Sequence, residues 1–197
     1  MIRFALVGLL LSVSGCALWS SPPPAPEAFR PPITVTPRTE RFPVLALELA
    51  TPSALYDGRT ASLLAADGRW RRLSGFQFAA SPAELAQQAL ADALERSGLA
   101  GAVLTGATAS PRLTLELRAF EAGDASDGRR VSVAWTLRLR EGADDHARRI
   151  DASAAVDGKI DDPAALMRAW QTATQDAVDQ SLEWLSRTVP SSPEASR

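Results

Sequence analysis

LTLELRA (residues 113–119) and VSVAWTLRLR (residues 131–140) carry the clearest pattern in the chain. Leu113, Leu115, Leu117 and Ala119 alternate with Thr114, Glu116 and Arg118. Val131, Val133, Trp135, Leu137 and Leu139 alternate in the same way with Ser132, Thr136, Arg138 and Arg140. Side chains of a strand point to opposite faces in turn, so a period of two with one polar set describes antiparallel strands in a sheet covered on one face only. Residues 123–130, with Asp127-Gly128, read as the hairpin loop between them. Residues 141–146 read as the next loop, and residues 149–156 as a third strand with Ile150, Ala152, Ala154 and Val156 facing one way.

Two helices flank this block. Before it, Ser81-Pro82-Ala83-Glu84 starts a helix: Ser81 can cap, proline suits the first helical position, and Glu84 completes a capping box. Leu85, Ala86, Ala89, Leu90, Ala93 and Leu94 then recur at helical spacing, and Ser97-Gly98 ends the run. After it, Asp162-Pro163 opens a long helix predicted to reach about Val189, with Leu166, Trp170, Ala173, Ala177, Val178, Leu182 and Leu185 as its apolar stripe. Further upstream, residues 44–49 read as a strand buried on at least one face. Residues 60–64 and 69–73 flank the turn signal Ala66-Asp67-Gly68, and residues 74–78 read as a loop carrying Phe76 and Phe78. Strands, helix, strands and helix, without a βαβ alternation, predict an α+β two-layer domain with both helices on one face of an antiparallel sheet.

The N-terminus has a different character. Arg3, a short apolar run over residues 4–11, and Ser14-Gly15 before Cys16 describe a secretory signal. The run is too short for a membrane helix of about 20 residues. Small residues ahead of Cys16, the only cysteine, resemble the bacterial lipobox, in which the thiol is acylated and the chain is cut just before it. Two or more acyl chains anchor stably where one holds marginally. In envelope lipoproteins of Gram-negative type, which this N-terminus resembles, Asp after the cysteine is an inner-membrane retention signal; Ala17 in that place implies the outer membrane. The expected organisation is a signal peptide over 1–15, acylated Cys16 with a Pro-rich tether over 16–41, a domain over 42–189 and a tail over 190–197. Prolines 22, 23, 24, 26, 31, 32 and 37 favour an extended tether of about 3.1 Å per residue.

Near-balanced charge, 21 Lys and Arg against 23 Asp and Glu, lacks the basic face that a nucleic-acid partner requires. The inventory for catalysis is thin. His146, the only histidine, stands beside Asp144 and Asp145 with nothing in sequence to complete a site and reads as an exposed loop residue. Asp161-Asp162 is explained by helix capping. Gly58, Gly68 and Gly75 precede no Gly-Lys-Ser/Thr and form no phosphate loop. No catalytic, cofactor or metal residues are assigned, and the chain is expected not to be an enzyme. Trp135 and Trp170 read as core, whereas Trp70, among arginines, and Trp184, beside the apolar stripe, are the candidate interface residues.

Asp67-Gly68-Arg69-Trp70 with its aromatic sequel, Ser81-Pro82-Ala83-Glu84-Leu85 with Gln88-Ala89-Leu90, the long last helix and the lipobox together resemble the auxiliary lipoproteins of ABC-type lipid transporters, PqiC-like. The resemblance covers most of residues 42–187. Members of that family often carry a Trp closer to the central helix, where this chain has Phe76 and Phe78. The resemblance implies a non-catalytic, periplasm-facing outer-membrane lipoprotein. Its implied partners are an MCE-domain protein with its permease and ATPase, which move phospholipids or other hydrophobic molecules between the membranes, and further copies of itself in a homo-oligomer. A lipid-binding carrier or an envelope-assembly lipoprotein is the alternative.

Overall fold

A computed structural model describes residues 28–50, 56, 58–106, 110–125, 128–158 and 162–188. Its elements run β1 (Ala28–Phe29), β2 (Leu45–Leu49), β3 (Thr60–Leu64), β4 (Trp70–Phe78), α1 (Pro82–Arg96), β5 (Val103–Thr105), β6 (Arg112–Ala125), β7 (Gly128–Glu141), β8 (Asp144–Ala155) and α2 (Pro163–Thr188). All eight strands belong to one sheet.

The alternating block is its spine. β6 and β7 pair antiparallel from Arg112↔Arg140 to Ala125↔Gly128, and β8 pairs antiparallel with β7 along its whole length. The other side of β6 is shared: β2 pairs with residues 112–115 and β3 with residues 121–123, both parallel. β5 adds to β2 and β1 to β4, also parallel, while β3 and β4 form the expected antiparallel hairpin. The sheet is therefore mixed. The connections from β2 and β3 to β6 pass through α1, and a crossover of that length permits the parallel pairing that a tight hairpin forbids.

A bulge between Leu117 and Ala119 decides which side chains β6 buries. An extra residue reverses the alternation of a strand. Leu113, Leu115 and Leu117 are buried before it, Phe120 and Ala122 after it, and Ala119 drops out of the expected apolar row. Against this face lie both helices, α1 over β2, β5 and β6 and α2 over β7 and β8. The two-layer α+β arrangement read from the sequence is the one observed. α1 begins at its capping box, with the Ser81 hydroxyl accepting from the Glu84 N–H and the Glu84 carboxylate accepting from the Ser81 N–H. It ends at Gly98, whose φ of 73° is costly for any residue with a Cβ. The α2 stripe from Leu166 to Leu185 is buried throughout.

Several boundaries differ from expectation. Residues 28–41 do not stand off as tether but lie across the domain. Phe29 and Ile33 are buried, Arg38 N–H donates to the Ser97 carbonyl at 2.6 Å, and Thr34 and Gln175 exchange two hydrogen bonds of 2.8 and 2.7 Å. Their prolines leave enough apolar and backbone groups between them to pack. Residues 74–78 continue β4 rather than forming a loop, because Phe76 and Phe78 reach the core. The β6–β7 strands run on to Ala125 and Gly128, which narrows the expected loop over 123–130. The β7–β8 turn is only Gly142-Ala143, and pairing resumes at Asp144.

Candidate interaction surfaces

Among the described residues, the layer between sheet and helices is closely packed around Trp170 and Trp135. Trp170 sits with its ring centroid 5.1 Å from both Phe76 and Phe78 and 6.2 Å from Phe120, stacked on the last at 15°. Trp135 donates from Nε1 to Ser181 Oγ at 3.0 Å, and that hydroxyl donates in turn to the Ala177 carbonyl at 2.7 Å. The hollows lined by described residues lie away from this aromatic cluster.

The first candidate surface is the helix-free face of the sheet. Ala50, Thr114, Glu116, Thr136, Arg138, Arg140, Asp145 and Ala147 line an open hollow of about 530 Å³ there. Its charges are paired: the Arg138 guanidinium forks onto Asp145, with Nε at 2.7 and 3.0 Å from the two carboxylate oxygens, and Arg140 Nε lies 3.6 Å away. Arg138 holds the Asp145 carboxyl below the usual carboxylate range. Glu116 accepts from Arg118 at 2.7 Å. This face was legible as the polar half of the alternation, but the pairing depends on the register of three strands. Where β6 divides its partners, Tyr56 donates to the Glu121 carboxylate and lies 3.3 Å from the Arg118 carbonyl. Burial, reinforced by Glu121, pushes the Tyr56 phenol well above its ordinary value. No sequence pattern marks this pair, since its members stand 65 positions apart.

The second is the outer edge of β8, which among the described residues pairs only with β7. The Val156 N–H donates to the Arg129 carbonyl at 2.9 Å. With an unbroken β7–β8 register, residues of the same parity turn their N–H and C=O groups to β7, and Asp145, Ala147, Arg149, Asp151 and Ser153 turn theirs outward. The Asp151 carbonyl is taken by Gln180 of α2 at 3.3 Å. His146 stands in this strand, opposite Leu139, and is exposed; it is not in a loop. Among the described residues no cluster of three or more His, Cys, Asp or Glu could hold a metal ion. Asp162 accepts from Ala164 N–H at 3.0 Å as a cap, and Asp161 lies outside the described residues.

Trp70 and Trp184 are not brought together. Trp184 is half-buried on α2, one turn beyond Gln180 and thus on the β8 side. Trp70 is 42% exposed at the start of β4. A row of paired residues, Trp70, Leu64, Gly123, Arg130 and Ala155, crosses the sheet from it to β8. Four inter-strand spacings make that about 19 Å. Cys16 lies outside the described residues.

No helix among the described residues is long and apolar enough to cross a membrane. No family model matches the chain, and no curated protein matches it. Solved structures do resemble it. A Xanthomonas campestris protein of the DUF330 family superposes with a TM-score of 0.67 at 16% identity, over 78% of this chain and 91% of its own. An uncharacterized protein superposes with a TM-score of 0.52 at 14% identity, over 75% and 99%. At these identities the likeness establishes the fold: the two-layer arrangement is one that a DUF330 protein shares.

Proposed function

We propose that the chain is an outer-membrane lipoprotein, held at Cys16 and facing the periplasm, that serves as a non-catalytic auxiliary component of an MCE-type ABC transporter for phospholipids or other hydrophobic molecules. The observation that carries this reading is the lipobox at Cys16 placed ahead of a two-layer domain of DUF330-like fold. The filled layer around Trp170 favours an adaptor over a carrier, because a lipid held beneath the helices would have to displace the aromatic cluster. The hollowed sheet face and the β8 edge are surfaces on which an MCE-domain protein or sister copies can dock. The test is affinity recovery from gently solubilised envelopes with mass spectrometry of proteins and lipids, comparing wild type with Cys16→Ser. Recovery of an MCE-domain protein without stoichiometric lipid, and loss of membrane fractionation in Cys16→Ser, are expected. Lipid bound one-to-one with no transporter partner would overturn the reading.

A further inference from the structure

The β3–β4 hairpin tip concentrates three features. Trp70 is the exposed aromatic of the sheet, Arg69 and Arg71 have side chains 83% and 64% exposed, and Arg72 is exposed with no carboxylate partner among the described residues. Asp67 is the hairpin's only acidic residue, and it lies 3.9 and 3.7 Å from Arg69 and Arg71. Within a chain of net charge −2, this tip is a local cation. Leu64, opposite Trp70, is half-buried and extends its apolar part. Indole rings settle at the headgroup level of a bilayer, and guanidinium groups bind phosphate oxygens in pairs.

Chain direction adds an independent constraint. β1 runs parallel to β4, with Ala28 opposite Gln77, so the N-terminal end of β1 points back toward the end of the sheet where Trp70 stands. Seven residues of β4 separate those levels, about 23 Å. From Cys16 to Ala28 the chain is long enough to span up to about 40 Å. An anchor at Cys16 therefore leaves the tip within reach of the membrane that holds it.

We infer that the Trp70 tip, with Arg69, Arg71 and Arg72, is a second membrane contact: it rests on an anionic phospholipid surface and orients the domain on it. The inference rests on the anchored reading of Cys16. The test uses the full protein recovered from envelopes and reconstituted into vesicles with brominated acyl chains. Trp19 lies close to Cys16, so a Trp19→Phe protein is the parent and Trp70→Phe is added to it. Circular dichroism and thermal midpoint verify that each variant is folded. Trp70-dependent quenching is expected in phosphatidylglycerol vesicles, weaker in pure phosphatidylcholine and at high salt. Each arginine replaced by Gln should weaken the contact about fivefold, and all three about a hundredfold. Equal quenching with and without Trp70 would overturn the inference and leave the tip to an acidic protein partner. The mass of the Cys16 peptide is read on the same sample. An unmodified Cys16 with persistent Trp70 quenching would remove the anchor but not this surface, and an acylated Cys16 without that quenching would do the reverse.

Discussion

Two fully buried tryptophans differ in a way that only their surroundings reveal. Trp135 Nε1 donates to Ser181, whereas Trp170 Nε1 has no acceptor among the described residues. A net hydrogen bond contributes about 1 kcal/mol, and a buried donor left unpaired costs about 1–3 kcal/mol. Both rings lose similar volume on replacement by Phe. Trp135→Phe is therefore expected to destabilise the fold by about 2 kcal/mol more than Trp170→Phe, measured by denaturant midpoint at unchanged slope. Equal losses would mean that the Trp170 N–H has an acceptor after all. That both residues belong to the core was readable from their spacing. Their different hydrogen bonding was not, since Ser181 is 46 positions from Trp135.

At the scale of elements, α1 is the case in which local chemistry suffices. The Ser81 N–H, and then its hydroxyl, hold the Glu84 carboxyl below its ordinary value of 4.5. A carboxyl whose pKa falls on folding contributes stability that is present above its unfolded value and lost as pH drops through the folded one. Ser81→Ala should cost about 1 kcal/mol at neutral pH, a shift of about 2–4 °C in thermal midpoint. Glu84→Gln should leave the midpoint less sensitive to acid below about pH 4.5 than wild type, and an identical acid profile would show that the box does not act through the carboxylate. β6 is the opposite case. Its alternation was plain from Leu113 to Leu117, yet the bulge at Arg118 redirects Phe120 and Ala122 into the core. Nothing in LRAFEA announces an extra residue, because a bulge is set by what the neighbouring strands require.

For the molecule as a whole, the question is where the domain begins. Phe29 and Ile33 bury side chains whose removal from water contributes about 1.5–3 kcal/mol each. Arg96 donates to the Ile33 carbonyl at 2.8 Å, and Arg30 pairs with Asp92 at 2.8 Å. The exposed Arg30 pair adds little. A chain starting at Phe42 should therefore be at least about 3 kcal/mol less stable than one starting at Ala28, as read by chemical denaturation. Equal stability would restore residues 28–41 to the tether.

By itself the sequence determined whatever short-range chemistry decides: the period-two spine, the two capped helices and their buried stripes. These depend on residues within a turn or a hairpin of one another. The tertiary structure decided the rest. The mixed pairing around β6, the bulge, the fastening of residues 28–41 onto α1 and α2, the Tyr56–Glu121 contact and the opposite placement of Trp70 and Trp184 all join positions tens of residues apart. Such pairings are selected by the shape of the whole core, whose close packing admits one register and rejects its neighbours.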